Sequence, residues 1–360
     1  MKAASLLRTW EFMLAVVLVL ELIVLGLINP SFLNVENLLF STSDFAHVII
    51  AAVGLTLIIM TGGIDISGVS VMGLASIVLG LAFIAGAPIG LAAAIALAVG
   101  IAAGAFNGAV IASTDVNPLI VTLATLFLYA GIATGLPTLL DMLGFVAYGA
   151  GGFEAYQYEG ITGLPKSFTW IGSGRIGWVP MPLVVVLVFA AVATFLMLRT
   201  RFGRYLKLIG VSPAVAHFTG VPIRRTLVAV YAINGFTAAV AGLVLTAYLG
   251  SARSDLGSEA LLSIITAVVL GGSSIYGGEG SVLGTLLAGF VIGFMRQGLL
   301  ALGITSDVVP VIIGGLLVGS VALRIGLAKL NTRLANRAAF AAERMAVGGN
   351  GASLSNGDPH

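Results

Sequence analysis

Cysteine is absent from the 360 residues, which removes disulfides, thiolate metal sites and cysteine nucleophiles. Histidine is almost absent: His47, His217 and His360 are too few and too scattered for a metal cluster. Charge is the third shortage, at 9% of residues where soluble proteins carry about 25%. A chain so poor in charge cannot cover a water-facing surface, and it reads as an integral membrane protein. Phosphate-binding chemistry is missing too, because the nearest glycine-rich stretch, Gly277 to Thr285, lacks the Gly-Lys-Ser/Thr ending that reaches phosphates. No G-x-S-x-G elbow occurs. No apolar segment holds the paired acids of many proton-coupled carriers; outside two glycine clusters the acids lie at segment ends, with Glu11 and Glu21 in the first segment. No metal, directly bound cofactor, nucleic acid or catalytic residue is therefore expected.

What is abundant is apolar sequence. Hydrophobic residues make up 59% of the chain, about 212 residues, and at roughly 20 per spanning helix this allows about eight to ten spans. Runs such as Leu183 to Leu198 are apolar throughout, which excludes the alternation of an outer-membrane barrel. The fold class is thus all-α, a polytopic helical membrane protein of about ten spans, at roughly 12–28, 46–60, 70–86, 89–112, 118–139, 183–199, 227–249, 258–272, 282–304 and 308–325. The segments 46–60 and 258–272 are short for about 30 Å of hydrocarbon and are candidates for tilted, broken or re-entrant helices.

Charge orients these spans. Residues 199–225 carry Arg199, Arg201, Arg204, Lys207, Arg224 and Arg225 without an acid, which places the loop 200–226 in the cytoplasm. Lys2 and Arg8 at one end, and Lys329, Arg333, Arg337 and Arg344 at the other, place both termini on the same side. Six spans precede the basic loop and four follow it, and both numbers are even, as that placement requires. No small-residue cleavage site precedes the polar stretch 29–43, so the first apolar run is read as an uncleaved span. The stretch 140–182, with Asp141, Glu154 and Glu159 against Lys166 and Arg175, reads as external. Residues 1–325 form the membrane domain on this reading. Residues 326–360 form a basic tail whose end, 348–360, is Gly-, Ser- and Asn-rich and is expected to be disordered.

Glycine, at 48 residues, carries the next signal. Single glycines such as Gly104 and Gly108 read as close-packing points between helices. Two clusters differ: Thr61 to Ser70, containing Gly62, Gly63, Asp65 and Ser67, and Gly271 to Ser281, containing Gly272 and Glu279. Backbone freed from helix there must be buried in protein or face water, so both are helix-break candidates beside a translocation path, with ordinary cytoplasmic turns as the plainer reading. That plainer reading is favoured for Asp65 and Glu279, because interfacial carboxylates are cheap compared with those at the bilayer centre. Inside the basic loop, Ser212-Pro213-Ala214-Val215-Ala216-His217-Phe218-Thr219-Gly220 has an N-cap serine, a proline at the first helical position and a glycine stop. It predicts a helix of about seven residues, too short to stand alone in water. Such a helix needs a surface to dock on, either the chain's own face or a separate subunit.

The stretch from Gly54 through Gly62-Gly63-Ile64-Asp65-Ile66-Ser67 resembles the signature of permease subunits of bacterial ATP-binding-cassette importers for ribose and related simple sugars. So do Ala267 to Gly272 with Gly278 and Gly280 to Thr285, and the basic loop Thr200-Arg201-Phe202-Gly203-Arg204 through Gly210 and Gly220-Val221. The resemblance covers about residues 10–325. A narrower one, to the autoinducer-2 import permeases, rests on Phe40 to Phe45, Val116-Asn117-Pro118-Leu119, Tyr158 to Ile161 and Leu249 to Gly257. The order Gly68-Val69 departs from the family's usual bulky residue followed by glycine, which bears on the local turn. The resemblance implies a permease in the bacterial inner membrane that does not itself hydrolyse ATP. Its implied partners are a second permease subunit, two ATPase subunits that use ATP, and a periplasmic substrate-binding protein. Gly203, Arg204, Gly210, Pro213, Val215, Ala216, Phe218 and Gly220 become ATPase-coupling candidates. Gly62, Gly63, Asp65, Ser67, Asn117, Gly271, Gly272 and Ser281 become translocation-path or helix-break candidates. Arg253 and Asp255, in the external turn 250–257, become binding-protein contact candidates, with a mutual surface ion pair as the plainer reading. The expected cargo is autoinducer-2, a cyclic furanosyl diol, with ribose or another pentose as the alternative. A secondary carrier working without ATP and a membrane-embedded enzyme are the alternatives from other classes.

Overall fold

The computed structural model describes residues 10–145 except Asp115, residues 160–320, and Ala322. The residues Lys2, Arg8, Glu154, Tyr158 and Glu159, and the basic tail 326–360, lie outside the described residues. The chain divides into two compact units, Met1–Gly314 and Gly315–His360.

The described chain is mainly helical; its one hairpin pairs Arg175–Ile176 (β1) with Val179–Pro180 (β2), and a lone bridge joins Ile161 to Ala252. Its helices are α1 (Trp10–Ile28), α2 (Val35–Ser41), α3 (Ala46–Ile59), α4 (Gly68–Ile84), α5 (Ile89–Ser113), α6 (Pro118–Met142) and α7 (Lys166–Ser173). They continue as α8 (Met181–Arg199), α9 (Arg201–Val211), α10 (Pro213–Phe218), α11 (Ile223–Leu249), α12 (Leu261–Leu270), α13 (Val282–Ala301) and α14 (Val309–Ser320). Boundary chemistry is local. Asn117 caps α6 by accepting from Leu119 N at 2.9 Å, with Pro118 at the first helical position. Ser281 caps α13 by accepting from Gly284 N at 3.0 Å.

Every expected span has a helix at its place, but the count of ten crossings is not confirmed among the described residues. Six described helices are long and apolar enough to cross a bilayer: α1, α5, α6, α8, α11 and α13. A seventh arises if Val35–Asp44 and Ala46–Ile59, bent by 61°, count as one broken span. Helices α4, α12 and α14 are shorter. At 1.5 Å per residue the 17 residues of α4 rise about 25 Å and the 10 of α12 about 15 Å, less than about 30 Å of hydrocarbon.

Helix α11 is the central element, packed on α3, α4, α5 and α7. Its contact with α5 is set by glycine: a Cβ at Gly104 would stand 2.1 Å from the Tyr231 carbonyl oxygen, and one at Gly235 would stand 2.1 Å from that of Gly100. Helices in lipid gain little from apolar burial alone and associate where small residues let backbones touch. The close-packing reading of Gly104 holds. Apolar side chains such as Val17 and Leu20 on α1, Phe127 and Leu128 on α6, and Phe195 and Leu198 on α8 remain exposed, as lipid-facing residues do.

Candidate functional site

The break between α3 and α4 carries a buried polar network. Asp65 is only 5% exposed, so the expectation of a cheap interfacial carboxylate does not hold for it; Glu279, in the other cluster, is exposed. One Asp65 oxygen accepts from Ser67 N at 2.9 Å and Ser67 Oγ at 2.6 Å, and the other accepts from Asn234 Nδ2 of α11 at 2.9 Å. Ser67 Oγ in turn accepts from Asn107 Nδ2 of α5 at 2.8 Å, and Asn107 Oδ1 accepts from the Tyr129 hydroxyl of α6 at 3.1 Å. Thr122 of α6 donates to the Ile64 carbonyl at 3.2 Å. Three hydrogen bonds and the start of α4, where helix dipoles favour negative charge, make burial of the carboxylate tolerable. The network ties the α3–α4 break to three long helices. Asn234 lies eleven residues into α11, about 16 Å from that helix's first residue. The break therefore sits inside the helix bundle rather than at its edge.

The two glycine clusters meet each other at the end of the molecule that carries the basic loop. Gly278 N donates to the Met60 carbonyl at 2.9 Å. Gly210 of α9 lies against both, since a Cβ there would stand 2.0 Å from Met60 O and 2.3 Å from Gly278 N. Gly62, at φ +80°, takes the left-handed backbone of this turn and faces Tyr276 O, while Gly63 lies under the Tyr231 hydroxyl. Gly271 packs backbone to backbone on Thr285 and Gly284 at the start of α13. Gly272, φ +95°, stands beside Trp10, whose indole donates to Leu270 O at 2.6 Å. Ser281 Oγ also donates to Glu11 of α1 at 2.8 Å. Asn117 takes no part in this junction and serves as the α6 cap.

Beside the junction lies the expected short helix, α10, of six residues. Ser212 Oγ accepts from Val215 N at 3.3 Å, Pro213 opens the helix, and Gly220 at φ +76° ends it. Ala216 is 0% exposed and packs among Ile209, Val221, Tyr205 and Leu227. It fastens α10 to its own chain and presents nothing outward. Val215 and Phe218, three residues apart and so on one face, are 50% and 87% exposed. Gly203 packs under the Met197 carbonyl where α8 turns into α9, and Arg204 is exposed.

At the opposite ends of α3, α11 and α13 is a cavity of about 440 Å³ that sequence reasoning did not find. Asp44 stands on its wall, accepting from Gln297 Nε2 at 2.6 Å and from the Tyr248 hydroxyl. Arg253 and Asp255 line it as a bidentate pair, Nε to Oδ1 at 2.9 Å and Nη2 to Oδ2 at 2.6 Å. Those hydrogen bonds hold the Asp255 carboxyl below its ordinary range. Arg296 and Glu259 approach to 3.8 Å. His47 is 7% exposed, and its Nδ1 has no hydrogen-bond partner among the described residues. The turn 250–257 is pinned by paired backbone hydrogen bonds, each 2.9 Å, between Ala252 and Ile161. Three stretches that carry the narrower resemblance, at 40–45, 160–161 and 249–257, thus gather at this end. The available signal was Arg296-Gln297, a charged and a polar residue inside an apolar span.

Residues 37–321 match the family described as the permease component of the branched-chain amino acid transport system. The chain belongs to that family. Similar to it are the Autoinducer 2 import system permease protein LsrD of Photorhabdus temperata, 44% identical over 309 residues, covering 86% of this chain and 89% of the relative, and that of Escherichia coli K12, 44% identical over 86% of this chain and 90% of the relative. No solved structure matches the chain. Membership makes it a transport subunit spanning a membrane several times, in agreement with its apolar helices.

Proposed function

We propose that the chain is the permease subunit of an ATP-driven importer that brings autoinducer-2 into the bacterial cytoplasm. The observation that carries this reading is the 44% identity, over nearly the full length of both chains, to permeases named for that cargo. On this reading the permease sits in the inner membrane with a sister permease, two ATPase subunits and a periplasmic binding protein. The basic loop and both termini face the cytoplasm. ATP is used by the partner subunits, and its binding and hydrolysis shift the permease between outward-open and inward-open states, which requires contacts that differ between those states. Helix α10 is the reading's contact with the ATPase. An 87% exposed phenylalanine and a half-exposed valine on one face of a six-residue helix suit a partner's groove, and Ala216 anchors the helix from below. Arg253 and Asp255 face the side from which the binding protein delivers cargo.

The test is uptake by the complex reconstituted in liposomes, with binding protein outside and ATP inside, comparing autoinducer-2, ribose and leucine. Ribose represents the simple-sugar resemblance, and leucine the family's description. ATP-dependent uptake of autoinducer-2 in preference to both is expected. Preference for ribose or leucine would overturn the cargo, and uptake independent of ATP would overturn the mechanism.

A further inference from the structure

We infer that the cavity at the far ends of α3, α11 and α13 is a binding station for cargo within this single subunit, built to hold a small, neutral, hydroxyl-rich molecule. This rests on the importer reading above, but the arguments are the cavity's own. Its volume, about 440 Å³, lies within the range of about 300–1,000 Å³ typical of small-molecule sites. Both guanidiniums in the lining already face carboxylates, Arg253 with Asp255 and Arg296 with Glu259, while the Asp44 carboxylate accepts from the neutral Gln297 amide and Tyr248 hydroxyl. Such a wall leaves an anion no free cation to meet, and the Asp44 carboxylate already holds two donors, whereas hydroxyls can both donate to its carboxylates and accept from its amide and guanidinium groups. Apolar residues such as Phe45, Leu245 and Leu256 complete the lining, as suits the carbon face of a ring.

His47 supplies the independent observation. Buried polar groups in proteins nearly always have a partner, yet this imidazole, more than nine-tenths buried on the cavity wall, has its Nδ1 unpaired among the described residues. Whether protonated or not, a ring nitrogen bonds a hydroxyl, because a hydroxyl both donates and accepts. That nitrogen is closed off from solvent, so His47 serves as the hydroxyl-recognising residue once its ring turns toward the cargo, and Gln297, held by Ser41 O at 2.7 Å and by Asp44, keeps the wall in place.

Because the chain contains no cysteine, Ser258→Cys, at an exposed lining position, gives the subunit a single thiol. Its labelling by a membrane-impermeant methanethiosulfonate is to be timed in the assembled complex, with and without high concentrations of autoinducer-2 or ribose. Labelling slowed at least about fivefold by autoinducer-2 is expected. Slowing by ribose alone supports the cavity and overturns the cargo reading. Equal rates with either sugar and with none, in a complex that imports autoinducer-2, overturn the cavity while leaving that reading intact. In parallel, His47→Leu should weaken the protection and cut uptake at low cargo concentration about tenfold, with His47→Gln recovering most of it and assembly unchanged. Protection undiminished in His47→Leu would overturn the role given to the imidazole.

Discussion

The two ends of the molecule are built from different materials. At the basic end, contact is made by backbone: Gly210, Gly278 and Met60 touch with no room for a Cβ, and helix breaks lock into one junction. At the far end, contact is made by side chains: carboxylates, guanidiniums, an amide and an imidazole surround open space. A backbone junction transmits displacement, because it has no rotamers to absorb it. A side-chain cavity recognises chemistry and can adapt. On the importer reading proposed above, force transmission belongs to the basic end and cargo selection to the far end.

The comparison breaks most severely at the glycine junction. Gly210→Val forces a side chain into the Met60 and Gly278 backbones, and overpacking against atoms that cannot rotate away should destabilise by about 3 kcal/mol or more. Gly131→Ala, with open space around it, should be nearly neutral. Thermal unfolding in detergent, read by the loss of monodisperse protein on size exclusion, separates the two. Equal stability of both variants would remove the junction from the account.

A middle-sized effect belongs to the network. Asn234→Leu leaves one Asp65 oxygen without its amide donor inside the protein, which should cost about 1–3 kcal/mol. Adding Asp65→Leu should recover part of that loss, since removing both partners costs less than orphaning one. A double-mutant cycle on unfolding free energy measures the coupling, and additive losses would mean that the two side chains act apart.

Comparable in size is the contrast within α10. Ala216→Asp buries a carboxylate among Ile209, Val221 and Leu227 and should lower stability by about 1–3 kcal/mol. Phe218→Asp, on the exposed face, should stay within about 0.5 kcal/mol of the parent. Limited proteolysis of the 200–226 loop reports the first and should not report the second.

The smallest effect is the Arg253–Asp255 pair. It is exposed on both sides and is worth at most about 1 kcal/mol. Because its hydrogen bonds hold the Asp255 carboxyl below the ordinary value of 3.8, its stabilisation is fully present above that value and disappears as pH falls through the lowered one. Arg253→Gln should therefore reduce stability slightly at pH 7 and by progressively less as pH falls below 3.8. A loss that does not shrink on acidification would contradict the assignment.

How much of this was legible in the sequence follows from which interactions are local. The Ser212 cap, Pro213 and the Gly220 stop lie within nine residues, so α10 could be read directly. The breaks at 61–67 and 271–281 were legible for the same reason, since glycine clusters leave helix wherever they stand. Their meeting was not, because the Gly278–Met60 bond joins residues more than two hundred positions apart. Asp65 was misplaced at an interface because its protecting amide is on α11 and its serine's partner is on α5. The cavity was missed because its walls come from three separate stretches, 44–47, 245–260 and 293–300, and Asp44, Tyr248 and Gln297 carry no mutual spacing in sequence. The count of ten spans is not confirmed, because α4, α12 and α14 are apolar helices shorter than a full crossing among the described residues.

The division of labour between the ends is tested most directly by one doubly read variant. Phe218→Asp is combined with Ser258→Cys in the reconstituted complex, and ATP hydrolysis stimulated by cargo-loaded binding protein is measured beside protection of the thiol by autoinducer-2. The account predicts that stimulation falls at least about tenfold while protection persists at the rate seen without Phe218→Asp. Full stimulation, or loss of protection together with stimulation, would contradict it.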